Sequence, residues 1–346
     1  MKHAIISDLH LGVRGDSSIY RKIFIDWLNN FLVPTLKRED VQVLDFLGDF
    51  YDNRNTVNVL TQNLGLLFVT VLEKELPNMK IRMLIGNHCC YYRNTREVHS
   101  LKKFERFPNV QIIDDIIIIE EGSRSLLYAP WIVDKAEIEK LASMRGKYDT
   151  ILGHFEFNGF SMNGGYVAQK GTDGSMFKGA IDVFSGHFHK HVEQDNITYV
   201  GNPFHMDWND AGNDKGIYIY NLTTGKKKFI VNNISPVYLK VYLSQLKAKT
   251  ISLDSVAGNF IKVYLDTEYS DKLVEKLTEV IRLKAPLTFS IEGFGATEID
   301  SSAEVSDNLD SPLETLLAWV SEMNIGDLDK DVLFKKFYEI YNKVVV

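Results

Sequence analysis

The chain has two cysteines in 346 residues, Cys89 and Cys90, and they are neighbours. Adjacent cysteines are poorly placed to bridge each other within an ordinary backbone, so a disulfide framework is excluded and a reducing cytoplasm is the compartment that fits. No apolar segment reaches the roughly 18 uncharged residues of a membrane span, so no membrane association is expected. The opening Met1-Lys2-His3 enters an apolar run without a signal-peptide pattern, which points to a soluble, unexported protein. A basic excess is missing too: 46 Asp and Glu outnumber 39 Lys and Arg, for a formal charge of −7. Six of the acids (Glu298, Asp300, Glu304, Asp307, Asp310, Glu314) lie between Thr297 and Glu314 with no base among them, which leaves the remaining chain nearly neutral. Even so, there is no basic stripe of the kind an autonomous high-affinity nucleic-acid binder carries, so any such affinity has to come partly from metal and partly from a partner. The 45% apolar content lets a chain of this length bury a full core, with room for more than one domain.

What is present is a set of five short polar motifs, each closing an apolar, strand-like run. Asp8-Leu9-His10 follows Ala4-Ile5-Ile6, and Gly48-Asp49 follows Val43-Leu44-Asp45-Phe46-Leu47. Gly86-Asn87-His88 follows Ile81-Arg82-Met83-Leu84-Ile85, Gly153-His154 follows Thr150-Ile151-Leu152, and Gly186-His187-Phe188-His189 follows Ile181-Asp182-Val183-Phe184. Strands buried on both faces read as continuous apolar runs, and open α/β sheets place their sites at the carboxyl ends of such strands. The chemistry is therefore expected to converge on one edge. Each motif alone is common by chance; the ordered set is not.

Two carboxylates, one amide and four imidazoles, with no thiolate, suit divalent ions such as Mn²⁺, Fe²⁺ or Zn²⁺. If Asp49 bridges, its two oxygens hold a pair of ions roughly 3.5–4 Å apart, the spacing of two-metal phosphoester hydrolases. One ion then polarises the phosphate while the pair lowers the pKa of an attacking water. His88, next to the candidate ligand Asn87, is placed to protonate the leaving oxygen or orient the phosphate.

With these motifs the chain resembles the calcineurin-like metallophosphoesterases, whose pattern is D-x-H, G-D, G-N-H, G-H and G-H-x-H. Within that superfamily it is most similar to the SbcD-type DNA nucleases, which include eukaryotic meiotic recombination eleven and the recombination nucleases of large tailed phages. Ser7-Asp8-Leu9-His10-Leu11-Gly12, Gly186-His187-Phe188-His189 and the turn Gly201-Asn202-Pro203 carry that likeness. The resemblance implies one metal on Asp8, His10, Asp49 and His189, and a second on Asp49, Asn87, His154 and His187. It makes Mn²⁺ the foremost ion, with Mg²⁺, Fe²⁺ or Zn²⁺ as alternatives, and His88 the catalytic histidine. Two positions depart from the pattern. Cys89 stands where most members carry an acid, so a carboxylate that orients His88 is missing or comes from elsewhere. Asp52 stands where many cellular members have a second catalytic histidine; it reads either as a supporting residue of the site or as a solvated loop acid or helix cap.

The expected fold is α/β: a metallophosphoesterase-type β-sandwich flanked by helices over 1–235, a small α+β capping domain over 236–296, an acidic linker over 297–311 and a helical hairpin over 312–346. Helical spacing appears at Ile19, Ile23, Trp27 and Phe31 and again from Val57 to Leu76, between strand-like runs, as βαβ units require. Tyr20, Ile23, Phe24 and Trp27 read as core packing in preference to a dimer face. Val110 to Ile113 and Ile116 to Ile119, around Asp114-Asp115, read as a hairpin. Asn158 to Gly179 reads as a long loop beside His154. Beyond Val237, an alternating run Phe260 to Leu265, a helix Asp271 to Lys284 and a run Leu287 to Ile291 form the capping unit, which in the resembled family contacts DNA. Leu313, Leu316, Leu317, Val320 and Met323, then Val332, Leu333, Phe337, Ile340 and Tyr341, stripe two short helices. So short a tethered pair needs something to dock on, either its own body or, as the resemblance favours, the coiled-coil base of an SbcC-type ATPase.

The sequence thus predicts a dinuclear metal-dependent DNA exonuclease and endonuclease, a homodimer through its nuclease-domain helices. It would be the nuclease subunit of an SbcCD-type repair and recombination complex. A phosphomonoesterase, either protein phosphatase or nucleotidase, and a weakly catalytic DNA-end scaffold for the ATPase are the alternatives.

Overall fold

The computed structural model describes residues 1–160 and 171–293. The acidic linker, the helical hairpin with Leu313, Leu317, Val320, Leu333 and Phe337, and the middle of the loop after His154 lie outside the described residues.

Two six-stranded sheets stack face to face. In the first, β12 (Lys226–Val231), β11 (Gly216–Asn221), β1 (Lys2–Ile6), β2 (Val43–Phe46), β3 (Lys80–Leu84) and β4 (Val110–Ile113) lie side by side. In the second the order is β5 (Ile117–Glu121), β6 (Arg124–Ala129), β7 (Thr150–His154), β8 (Asp182–Gly186), β10 (Ile197–Tyr199) and β9 (Val192–Gln194). The run from β1 to β4 is parallel, as is the run β6-β7-β8-β10, so their carboxyl ends point the same way within each sheet. Antiparallel strands close the edges.

The continuous apolar strands follow from double coverage, because alternate residues point to opposite faces. In β1, Ile5 enters the layer between the sheets while Ala4 and Ile6 face the helices outside; in β7, Leu152 and Ile151 divide in the same way. The outer cover of the first sheet is the helix Ser18–Trp27, a wider π turn Leu28–Leu32, the helix Val33–Glu39 and the helix Val59–Glu75. Tyr20, Ile23, Phe24 and Trp27 are all buried in this layer, so they are core. Burying each such side chain contributes roughly 1.5–3 kcal/mol.

The interior between the sheets is not wholly apolar. His3, Asp45, Arg82, Glu121 and Tyr128 form a buried network there. Arg82 donates twice to Glu121 (2.7 and 3.1 Å) and once to the Tyr128 hydroxyl (2.7 Å), while that hydroxyl donates to Asp45 (2.9 Å) and His3 Nδ1 to Asp45 (2.5 Å). Arg82 and His3, whose pKa burial lowers but Asp45 and Glu121 raise by more, face two carboxylates, and this pairing is what makes so deep a polar set tolerable.

The structure corrects one expectation. Val110 to Ile113 and the run after it do not pair: β4 joins β3 in the first sheet and β5 joins β6 in the second. Asp114-Asp115 carries the chain around the corner of the sandwich. A two-residue link between apolar runs serves either geometry, and the tie is broken by strands distant in sequence.

The segment after β12 forms a three-stranded sheet in the order β13 (Tyr238–Tyr242), β14 (Phe260–Leu265), β15 (Thr288–Gly293), backed by the helix Asp271–Leu283. Residues Met1–Glu292 pack as one compact unit. The seam between sheet and body is aromatic: Tyr238 stacks on Phe260 (4.4 Å), Tyr20 on Phe260 (5.9 Å), and Trp208 meets Tyr238 edge-on (4.8 Å). Among the described residues no helix is long and apolar enough to cross a membrane.

Candidate metal centre

The five motifs meet on one edge of the sandwich. Asp8 and His10 leave β1, Asp49 leaves β2, Asn87 and His88 leave β3, His154 ends β7, and His187 and His189 leave β8. The strand-to-loop turns are tight, and Asp8, His10, Asp49 and His187 sit in left-handed backbone conformations (φ 54°, 41°, 55° and 91°). For side chains other than glycine such conformations are costly and concentrate at functional sites. Two glycines make the convergence possible. A Cβ on Gly48 (φ 114°) would lie 2.5 Å from His154 Nδ1, and one on Gly86 would lie 2.2 Å from Asp49 Oδ1.

The candidate donor atoms form three groups, Asp8 with His10 and His189, Asp49 with His154 and His187, and His10 with Asp52 and His88. Asp49 Oδ2 lies 3.3 Å from His154 Nε2 and 3.9 Å from His10 Nε2, so it stands between them. Asn87 Oδ1 lies 2.9 Å from His154 Nε2 and 3.1 Å from His187 Nδ1. In the first group His10 Nε2 and His189 Nε2 are 3.0 Å apart.

Hydrogen-bond logic asks for cations here. His154 Nδ1 is 2.7 Å from the Leu47 carbonyl and must donate to it. With the ring neutral, as a metal ligand must be, Nε2 is an unprotonated acceptor facing two more acceptors, the oxygens of Asn87 and Asp49; with no ion there, burial lowers the His154 pKa but Asp49 and Asp8 raise it by more, and a proton takes that place. Lone pairs turned toward one another across about 3 Å are stabilised by a positive ion between them. The donor set, hard oxygen with borderline imidazole, fits divalent Mn²⁺, Mg²⁺, Fe²⁺ or Zn²⁺.

The electrostatics reflect crowding. Burial pushes Asp8 up to about 6, with the Asp49 charge adding to it. Burial works the same way on Asp49, but the His154, His88 and His10 rings outweigh it and hold that carboxyl well below the usual range. His10 loses to burial and gains more from Asp52, Asp49 and Asp8, ending at about 9, while burial and its neighbour His10 drive His189 to about 3. Burial and the His154 charge take His187 to about 3 as well. Two imidazoles 3.0 Å apart cannot both hold a proton, and one proton per pair is what this split describes.

His88 is held from two sides. Its backbone N–H donates to Asp49 Oδ1 (2.8 Å), and its Nδ1–H donates to the Asp52 carbonyl (2.6 Å). That fixes the tautomer and leaves Nε2 as the free nitrogen. Burial and the nearby His10 lower its pKa. The orienting group is thus a backbone carbonyl, and Cys89 has no part in it. Cys89 is fully buried in the helix-facing core, and burial pushes its thiol up to about 12. Asp52 also turns its carboxylate to the site, with Oδ1 3.2 Å from His10 Nδ1.

Sequence reasoning missed two supports. The Trp131 ring lies 5.1 Å from His187 and 6.0 Å from His154, walling one side of the centre. Its signal was available, since Leu126–Ala129 is a sixth apolar run ending on the same edge. Lys215, fully buried against Asp210 (2.5 Å), donates to the His189 carbonyl (2.7 Å), to which the Asn202 N–H also donates (3.2 Å). Asp210 further accepts from the Asn202 amide (3.2 Å), so the Gly201-Asn202-Pro203 turn serves to grip the strand end bearing His189.

The family model described as calcineurin-like phosphoesterase matches residues 1–191, a span containing every donor from Asp8 to His189. Exonuclease subunit 1 of Enterobacteria phage T4 is 23% identical over 348 aligned positions, covering 99% of this chain and 98% of that protein. Among solved structures, a novel archaeal phosphodiesterase is 16% identical with a TM-score of 0.37, over 67% of this chain and 100% of that one.

Proposed function

The chain belongs to the calcineurin-like phosphoesterase family, and from that premise we propose that it is a dinuclear DNA nuclease, the nuclease subunit of an SbcCD-type repair and recombination complex. The observation that carries this reading is the convergence of two carboxylates, one amide and four imidazoles from five strand ends, with lone pairs facing one another. The T4 relative is named an exonuclease subunit and is similar over nearly the full chain, well past the phosphoesterase span. That supports DNA as substrate and a partner subunit, here an SbcC-type ATPase bound through the helical hairpin at 312–346. The same reading assigns 236–296 as a DNA-contacting cap, 297–311 as a linker and the helices outside the first sheet as a homodimer face.

One ion would be held by Asp8, His10, Asp49 and His189 and the other by Asp49, Asn87, His154 and His187, with Mn²⁺ foremost. Bound there, divalent ions supply Lewis acidity toward the phosphate and lower the pKa of water. The protein's own part begins with His88. Its Nδ1–H is committed to the Asp52 carbonyl, so Nε2 faces the reaction; in the imidazolium form Nε2–H would give its proton to the leaving oxygen or hydrogen-bond the phosphate, leaving the neutral ring. The Asp49 carboxylate is kept from rotating by the His88 N–H, so the residue shared by both ion sites is pre-set. Trp131 packs on His187 and lines that side of the centre.

The test compares turnover of linear duplex and plasmid DNA with that of bis(p-nitrophenyl) phosphate and p-nitrophenyl phosphate, in Mn²⁺ with and without EDTA. Chelator-sensitive cleavage of DNA and of the diester, with the monoester left nearly untouched, is the expected pattern. Preference for the monoester would replace the nuclease reading with a phosphatase one.

A further inference from the structure

The segment following His88 carries an aromatic feature that the ion centre leaves unused. Tyr91 and Tyr92 are 47% and 51% exposed, and their rings meet edge-on with centroids 4.8 Å apart. Neither hydroxyl has a hydrogen bond among the described residues. The loop beneath them is well tied. Cys89 and Cys90 are buried, Cys90 bridges His99 antiparallel, Tyr91 N–H donates to Val98 O (3.0 Å) and Ser100 N–H to Cys89 O (2.9 Å). Farther out, Arg96 clamps the loop to the body, donating to the carbonyls of Asp114 (2.9 Å) and Trp131 (2.6 Å) and to Glu137 (2.8 Å). One end of this loop is thus His88 and the other is fastened to the residue that packs on His187. The two tyrosines are the third and fourth residues after His88, on a base that does not depend on them.

We propose that Tyr91 and Tyr92 form a stacking platform for an unpaired nucleobase next to the phosphodiester at the centre, so that the enzyme favours single-stranded ends or flaps over intact duplex. This rests on the nuclease reading above and specifies its substrate. Two arguments select a nucleobase. Exposed aromatic rings on a tied loop that starts at the candidate catalytic histidine match what proteins use to grip single strands irrespective of sequence. The chain also lacks the lysine and arginine stripe that would otherwise supply affinity, with a formal charge of −7, so apolar stacking has to carry a larger share. Base-paired nucleotides keep their faces covered by their neighbours, and the platform therefore discriminates against them.

The experiment uses the full chain with Mn²⁺, comparing wild type, the double variant Tyr91→Ala/Tyr92→Ala and the double variant Tyr91→Phe/Tyr92→Phe. Substrates are a single-stranded oligonucleotide, a blunt duplex of the same sequence and bis(p-nitrophenyl) phosphate. The alanine variant is expected to raise KM on the single strand by about 10-fold or more, within the range seen when a stacking ring is removed. Its turnover of bis(p-nitrophenyl) phosphate should match wild type, which also certifies the fold and the ions. The phenylalanine variant keeps both rings and should behave as wild type on every substrate. Equal KM for the alanine variant and wild type on the single strand would overturn the platform while leaving the nuclease reading intact. So would normal single-strand cleavage coupled to loss of stimulation by the ATPase subunit, which would make the rings a protein contact. If wild type cleaves bis(p-nitrophenyl) phosphate and no DNA, the nuclease reading fails and this inference falls with it.

Discussion

Asp52 touches two histidines of the candidate site, His10 and His88, through two different atoms, and Asp52→Ala separates them. Its carboxylate lies 3.2 Å from His10 Nδ1, while its carbonyl accepts the His88 Nδ1–H at 2.6 Å. Alanine removes the first contact and keeps the second. A hydrogen bond to a charged partner contributes roughly 1.5–3 kcal/mol. Two facts place this one at the low end: the Asp52 side chain is 37% exposed, and the buried His10 Nδ1 lacks a well-aligned hydrogen bond despite the short distance. Taking about 1.5 kcal/mol, the variant should weaken ion binding at the Asp8, His10 and His189 group about 10-fold. The expectation agrees with the ordinary effect of removing a carboxylate behind a ligating imidazole. Titrating Mn²⁺ into the metal-free protein by calorimetry, and separately into a bis(p-nitrophenyl) phosphate assay, reads the effect. Apparent Mn²⁺ affinity should fall about 10-fold, and the rate at saturating Mn²⁺ should return to within about threefold of wild type, because the carbonyl still orients His88. Unchanged affinity with a rate loss that Mn²⁺ does not rescue would refute the reasoning, since Asp52 would then act on the reacting groups.

The remaining predictions address other links. His88→Ala should lose on the order of 10²–10⁴ in rate with both ions retained by elemental analysis; parallel loss of metal and rate would make it a ligand. Glu121 is 7% exposed; burial raises its pKa, but His3 and Arg82 outweigh that and hold the carboxyl at about 2 against an ordinary 4.5. A depressed pKa stabilises above the ordinary value and is lost as pH falls toward the depressed one, so Glu121→Gln should cost about 3 kcal/mol at pH 7. With an unfolding entropy of roughly 2.1 cal/mol/K per residue over residues 1–292, that is a fall of roughly 5 °C in Tm. The gap between wild type and variant should narrow below pH 4.5; a gap independent of pH in scanning calorimetry would assign the loss to packing. Truncation after Asp310 should leave diesterase activity and metal content unchanged while abolishing co-elution with an SbcC-type ATPase on gel filtration. Undiminished complex formation would place the partner contact elsewhere.

The meeting of the candidate donors on one edge was legible because they sit at fixed offsets from apolar runs. A strand buried on both faces leaves an uninterrupted apolar signature, and the residue where that signature stops is where a side chain can turn toward a ligand, so Asp8, Asp49, Asn87, His154 and His187 announce themselves locally. The small sheet after Val237 was legible through other periods, the alternation of Phe260 to Leu265 and the helical spacing of Asp271–Leu283. What only the tertiary structure decided depends on partners far apart in sequence. Whether Val110 to Ile113 turns back on the next run or crosses to another sheet is settled by β3 and β6, which no local pattern contains. That a backbone carbonyl at Asp52 orients His88 had no sequence signal, because every residue has a carbonyl and only the fold aims one. The network of His3, Asp45, Arg82 and Glu121 was hidden as polar residues scattered through apolar strands, and its members find their partners only when two sheets bring them face to face. Periodicity records what each residue does to its own strand; the pairing of charges and the aim of carbonyls are properties of how strands meet.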